Sequence, residues 1–251
     1  MTIYTIKRPL LLSCQKYVCI KNNFYFQLTL LQNFFNITIM NKKTCVLGAT
    51  GLVGSNLLLL LTNDTYYSAI HVITRRKVHL QARSVSQYIA DFNNLETVAH
   101  AFAVDDVYCC LGTTMKKAGS KEAFKQVDYG YVVKAARIAH AQGAKQFLVI
   151  SAIGAHPHSL FFYNRIKGQM EKDVASIQFD AVHIFRPSLL LGQRDEKRFL
   201  EDIAQKCAKP FQYILKGTLK KYAPVEAKHV AVSMIGAAKS HVPGIHIHEA
   251  F

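Results

Sequence analysis

The chain has 251 residues, half of them hydrophobic, a formal charge of +15 and six cysteines. A core of that size needs no disulfide scaffold. The cysteines (Cys14, Cys19, Cys45, Cys109, Cys110 and Cys207) form no CxxC and no zinc-finger spacing with histidine, so free thiols in a reducing cytoplasm are expected, and no metal centre.

The basic residues are spread thinly. The densest patch beyond the amino terminus, KGTLKK at 216–221, reads as solvated surface, so no nucleic-acid partner is expected. Residues 1–40 contain no Asp or Glu, and 22–40 carry no charge at all. Six Asn and Gln residues interrupt that stretch, which is costly in hydrocarbon, so stable membrane insertion is not expected. Met40 is followed by NKKTCVLGATG, a polar start running into an apolar strand and a glycine turn. Residues 1–40 therefore read as an upstream extension, and 41–251 as one nucleotide-binding domain.

From there short β runs alternate with amphipathic helical runs. Strands are expected at 44–48, 69–74, 87–90, 106–111, 146–152, 181–186 and 245–248. Helices are expected at 52–62, 94–103, 120–142, 161–177, 198–208 and 226–239. In the longest of these, Phe124, Val127, Tyr131, Val132, Ala135, Ala136 and Ile138 follow a 3.6-residue period, with Ser120 as N-cap and Gly143 as stop. Strands separated by helices predict parallel pairing through right-handed crossovers, and near-continuous apolar strands predict a sheet covered on both faces. The expected fold is α/β: a doubly wound parallel sheet of Rossmann type, with small C-terminal elements on the substrate side.

The strand-to-helix junction VLGATGLVG carries Gly48, Gly51 and Gly54. One glycine permits a tight turn, a second lets backbone approach a pyrophosphate, and a third lets helix pack closely on strand. The helix start offers unpaired N–H groups to phosphates. The second strand ends in Arg75 and Arg76, where NAD-selective folds place an acid for the ribose hydroxyls. Arginine suits a 2′-phosphate instead, so NADP(H) is favoured over NAD(H). Asp91 and Phe92 close the third strand and are candidates for the adenine.

In FYNRIKG, Tyr163 and Lys167 stand four apart on one helix face. The ammonium is expected to lower the phenol's pKa, letting the tyrosine exchange a proton with a carbonyl or carbinol oxygen. Ser151, at the end of the fifth strand, is positioned to orient that oxygen.

These motifs, with DF at 91–92, CLGTT at 110–114, VISA at 149–152 and YNRIK in order, resemble the atypical branch of the short-chain dehydrogenase/reductase superfamily. Within it the chain is most similar to the Tat-interacting-protein group, where a YxxxKG helix is followed by FRPxxLL and further basic residues, here Phe185 to Arg198. The resemblance implies cofactor contacts from Thr50, Leu52, Val53, Arg75, Arg76, Leu111, Gly112, Tyr163, Lys167, Leu190 and Arg198. It implies an oxidoreductase acting on a small carbonyl or alcohol. The classical asparagine of the long helix is absent, with Asp128 in that neighbourhood. Two other readings stay open: a non-catalytic NADPH-binding regulator with a protein partner, and an epimerase or dehydratase. His156, His158 and Ser159 read as a solvated loop, His246 and His248 as a strand pair without a third metal ligand, and Cys109 and Cys110 as core residues facing opposite ways.

Overall fold

The structure, a computed structural model, describes residues 42–78, 84–191, 223–249 and 251. The Met40 expectation, the 216–221 patch and the helix at 198–208 lie outside the described residues. β1 (Lys42–Leu47) leads into α1 (Leu52–Thr62), β2 (Tyr67–Thr74) and β3 (Val85–Ile89). A 3₁₀ segment (Phe92–Phe102) and β4 (Asp106–Cys109) follow. Next come α2 (Met115–Ala118), α3 (Lys121–Lys125), a π turn (Gln126–Gly130), α4 (Tyr131–Ala141) and β5 (Gln146–Ile150). The chain continues with α5 (Phe162–Ala175), β6 (Ala181–Phe185), β7 (Leu190–Leu191), β8 (Val225–Glu226), α6 (Ala227–Ser240) and β9 (Gly244–His248).

Seven strands form one parallel sheet in the order β3-β2-β1-β4-β5-β6-β9, while β7 and β8 make a separate parallel pair. The sheet is the doubly wound α/β architecture that the sequence predicts. Strand alternation divides its core in two. Leu47, Ile73, Cys109, Phe147, Val149 and Ile184 face the 3₁₀ segment, α4 and α5. Val46, Val72, Tyr108, Leu148 and Phe185 face α1 and α6. Burying one such side chain contributes about 1.5–3 kcal/mol. Every residue of β4, β5 and β6 is buried, as expected for central parallel strands covered on both faces. Cys109 packs in the first core and Cys110 against the second, so the adjacent thiols do face opposite ways.

Two elements depart from their expected form. The segment after Phe92 is 3₁₀ rather than α, kinked where Asn94 and Val98 leave helical geometry. Asn side chains compete with the backbone for hydrogen bonds, and two stand side by side at its start. The expected helix 120–142 is broken by the π turn centred on Asp128. Its ends are as expected: Ser120 Oγ accepts from Ala123 N–H at 3.0 Å, and Gly143 takes φ +88°. Apolar periodicity runs through the inserted turn, so the sequence alone reads one helix.

The strand order reverses between β1 and β4. The chain leaves their carboxyl ends toward opposite faces of the sheet, α1 on one and α4 on the other, and the crevice between is where ligands bind in open α/β sheets.

Candidate active site

The glycine turn forms one wall of that crevice. Gly48 has φ +79°, and a Cβ there would fall 2.4 Å from the Cys110 carbonyl oxygen. The turn after β1 thus lies directly against the loop after β4, and only glycine fits. A Cβ on Gly54 would fall 2.1 Å from the Gly48 carbonyl oxygen, so α1 packs onto the turn itself. Gly51 is less constrained, its Cβ falling 3.2 Å from that oxygen. Gly51 N–H donates to Gly48 O at 2.9 Å, and Ser55 N–H makes the first helical bond, to Gly51 O at 2.9 Å. The amides of Leu52 and Val53 precede that bond and have no intrahelical acceptor. This is the cradle a phosphate requires.

A cavity of about 760 Å³ opens beside it. Gly48, Thr50, Gly51, Leu111 and Gly112 line it, as the motifs imply. Arg75, Arg76, Lys77 and Lys117 line it too, and among the described residues no Asp or Glu does. A local scaffold sets the arginine backbone. Thr74 Oγ1 donates to Arg76 O at 2.9 Å, and Gln87 Nε2 donates to Thr74 Oγ1 at 2.7 Å and to Arg76 O at 3.1 Å. Phe92 and Tyr131 supply aromatic wall. Volume, cationic lining and glycine turn fit a dinucleotide.

Other expected contacts stand elsewhere. Asp91 is absent from the lining; its carboxylate accepts from Asn93 N–H at 3.0 Å and Asn93 Nδ2 at 3.1 Å, capping the 3₁₀ segment. The Val53 side chain is buried in the core under α1, so only its backbone faces the turn. Leu190 pairs with Val225 and packs on the same core, away from the cavity. Arg198 lies outside the described residues. Lys117 and Gln87 were not singled out from sequence: a lysine after CLGTT and a glutamine inside a strand carry no motif.

Tyr163 and Lys167 project from α5. Gly168 fixes the helix there, since a Cβ would fall 2.1 Å from the His156 carbonyl carbon, so the loop after β5 crosses directly over it. Asn164 Nδ2 donates to Gly154 O at 2.9 Å and Arg165 Nη1 to Ser159 O at 2.8 Å, tying that loop to α5. The Tyr163 ring packs on Phe124 at 5.4 Å and the residue stays 38% exposed. Lys167 is buried; its Nζ lies 2.8 Å from Asp128 Oδ1 and 3.4 Å from the Ile150 carbonyl oxygen. Asp128 Oδ2 accepts from Thr113 N–H at 2.8 Å.

The phenol is not depressed as expected. Desolvation pushes the Tyr163 pKa up; Lys167 opposes that, and Asp128 adds to it. The ammonium's influence is therefore largely offset. Ser151 is also committed: it is buried, and its hydroxyl donates to the Glu171 carboxylate, which pairs with Arg186 at 2.6 Å. Backbone brings it beside Lys167 through Ile150, while its hydroxyl belongs to a second ionic cluster. His156 and His158 are exposed, their rings 5.8 Å apart. His246 and His248 are joined by buried His183, whose ring stacks 5.0 Å from His246 and tilts 5.4 Å from His248. His183 Nδ1 and His248 Nε2 share a hydrogen bond at 3.2 Å, and among the described residues no three His, Cys, Asp or Glu side chains are placed to hold a metal ion. Among those residues no helix is long and apolar enough to cross a membrane.

The model of the NAD(P)H-binding family matches residues 48–202. The chain is 39% identical over 182 residues to protein HTATIP2 of Rattus norvegicus, covering 71% of this chain and 75% of that one. It is 34% identical over 209 residues to protein FMP52, mitochondrial, of Candida albicans, covering 80% and 90%. Among solved structures, MoeE5 in complex with UDP-glucose and NAD superposes with a TM-score of 0.63 at 15% identity, over 82% of this chain and 74% of that one. The last likeness is one of fold. The expected cytoplasmic location does not stand, because the FMP52 relatives of Scheffersomyces stipitis, Candida albicans and Debaryomyces hansenii are named mitochondrial proteins. The glycine cradle, the cavity, the matched family model and the HTATIP2 relative agree: the chain belongs to the NAD(P)H-binding family and is a homologue of HTATIP2.

Proposed function

We propose that this protein is an NADP(H)-dependent oxidoreductase acting on a small carbonyl or alcohol. The observation that carries the cofactor choice is the cavity lining, which among the described residues has four cations and no carboxylate. A ribose 2′-phosphate gains charge-assisted hydrogen bonds from Arg75 and Arg76, whereas a ribose diol finds no acceptor carboxylate among the lining residues. The backbone amides that open α1 hold the pyrophosphate. Gly112 lets its loop lie close against Asp128, since a Cβ there would fall 3.3 Å from Asp128 Oδ1.

When bound, the reduced nicotinamide supplies a hydride. Tyr163, still 38% exposed, is the group that donates a proton to the substrate oxygen, and solvent restores it. Lys167 holds a ribose hydroxyl with the hydrogen left over from Asp128 and Ile150. Single-turnover oxidation of bound NADPH against a library of carbonyl compounds tests this reading. Turnover is expected for at least one compound, with loss of roughly 10²-fold or more in Tyr163→Phe and unchanged NADPH binding.

A second reading, an NADPH-binding regulator, draws on one observation. The Ser151 hydroxyl is engaged by Glu171 rather than left free for a substrate. If no carbonyl is turned over and Tyr163→Phe matches the parent in every assay, this reading replaces the first.

A further inference from the structure

Among the described residues Asp128 is the acidic side chain paired with Lys167, and it is fully buried. A π turn puts it there: the widened turn Gln126–Gly130 interrupts helix between α3 and α4, and such single-turn π segments are frequent at functional sites. Its two oxygens are divided. Oδ2 accepts from the Thr113 amide, on the loop that lines the cavity, and Oδ1 meets Lys167 Nζ at 2.8 Å.

Lys167 therefore reaches the site as half of a neutral pair. We propose that Asp128 is a positioning residue for the proton transfer assigned to Tyr163: it clasps Lys167 against the Gly112–Thr113 loop, cancels the ammonium's charge, and keeps Tyr163 a protonated donor, which sets the site for carbonyl reduction. The inference rests on the oxidoreductase reading for its meaning. In the balanced step a hydride is transferred from the reduced nicotinamide to the carbonyl carbon, and the Tyr163 proton passes to the carbonyl oxygen. The products are an alcohol, the oxidised nicotinamide and a tyrosinate that solvent re-protonates.

The other charged groups nearby do not replace Asp128. Cys109 faces the pair from β4, its thiol pushed up to about 12 by burial and so neutral. Lys121 lies 5.6 Å over the Phe162 ring, and Arg165 lies 5.8 Å over the same ring. Glu171, further along, is paired with Arg186, which also holds Glu249. Direct influence on the Tyr163 phenol comes from burial, from Lys167, which favours the phenolate, and from Asp128, which opposes it.

The test follows tyrosine ionisation by NMR of ¹³Cζ-labelled tyrosine in the full chain, with Tyr163→Phe to assign the resonance. Asp128→Asn should lower the pH at which Tyr163 ionises by about one pH unit or more, because the ammonium then acts unopposed. Asp128→Glu, which keeps the charge, should leave Tyr163 ionising nearer the parent value than Asp128→Asn does. A folded Asp128→Asn whose Tyr163 ionises as in the parent overturns the proposal. Should Asp128→Asn fail to fold, the parent chain decides: the Asp128 carboxyl ¹³C shift at pH 7 must be that of a carboxylate, and a protonated carboxyl overturns the proposal. Neither measurement uses substrate or cofactor. A failed turnover screen leaves the result standing, and an unmoved Tyr163 leaves the turnover result standing.

Discussion

Arg186 grips Glu171 at two points, Nη2 at 2.6 Å from Oε2 and Nε at 3.0 Å from Oε1. The Ser151 hydroxyl donates to the same carboxylate, so β5, α5 and β6 are tied by one buried acid. Removing that acid leaves the buried Ser151 hydroxyl without its acceptor and takes two contacts from Arg186, whose Nη1 keeps Glu249 Oε1 at 3.1 Å. Glu171→Ala should cost about 3 kcal/mol in urea unfolding. Ser151→Ala removes one hydrogen bond to a charged group and should cost about 1.5–3 kcal/mol. NADPH affinity should hold in Ser151→Ala, because Ser151 does not line the cavity. A large affinity loss with unchanged stability would instead place its hydroxyl at the cofactor.

The three glycines should not respond equally to alanine. Gly48→Ala sets a Cβ 2.4 Å from backbone oxygen at φ +79°, and Gly54→Ala sets one 2.1 Å from backbone oxygen. Neither neighbour is a flexible side chain, so the turn itself must move. Gly51→Ala meets its nearest atom at 3.2 Å with an ordinary φ of −78°. Titration calorimetry with NADPH should rank the losses Gly48→Ala and Gly54→Ala well above Gly51→Ala, unless the ligand itself needs the space at Gly51. A Gly51→Ala variant that stays fully stable yet loses binding would locate the pyrophosphate against that residue.

Cofactor preference should rest on Arg75 and Arg76. Each charge-assisted hydrogen bond to a phosphate is worth about 1.5–3 kcal/mol. Arg75→Ala combined with Arg76→Ala should therefore weaken NADPH by roughly 10²-fold or more and leave NADH within a few-fold. Fluorescence titration of both cofactors against the double variant checks this. Equal losses for the two would move the 2′-phosphate away from these side chains, and Lys117 would be the next cation to substitute.

The sheet was legible because its strands are short apolar runs flanked by helices, and because parallel pairing leaves few topologies. VLGATGLVG and the arginine pair were legible because phosphate binding constrains backbone and charge within a few consecutive residues. What lay beyond reach depends on contacts between distant segments. Nothing local marks Asp128 as partner to Lys167, 39 positions later, or Ser151 as partner to Glu171. The phenol's direction is illegible for the same reason: YxxxK shows the cation, while the burial that raises the pKa, and Asp128 after it, come from other elements. The π turn was invisible since one extra residue barely disturbs an apolar period. Leu190 was carried over by motif, yet it sits in a two-stranded pair that packs on the core under α6.

Acid should loosen the carboxyl-terminal edge of the sheet. His183 on β6 is buried, and burial, then His248, then His246, push its pKa down from 6.5 to about 4. His248 is also lowered, by burial and then by His246. Since the unfolded chain takes up these protons more readily than the folded one, stability is complete above about pH 6.5 and declines as pH falls toward about 4. At ~1.4 kcal/mol per pH unit, His183 alone contributes about 3 kcal/mol across that window. His183 Nδ1 shares a hydrogen bond with His248 Nε2 at 3.2 Å while its Nε2 is buried without a partner, so His183→Leu gives up that one hydrogen bond, about 1 kcal/mol, at pH 7 and abolishes the titration. Urea midpoints measured from pH 7 to pH 4 should fall less steeply in His183→Leu than in the parent. Hydrogen exchange should rise first at the amides of His246 and His248, which face β6 from the edge strand. Parallel pH slopes in the two proteins would show that the acid sensitivity arises elsewhere in the fold.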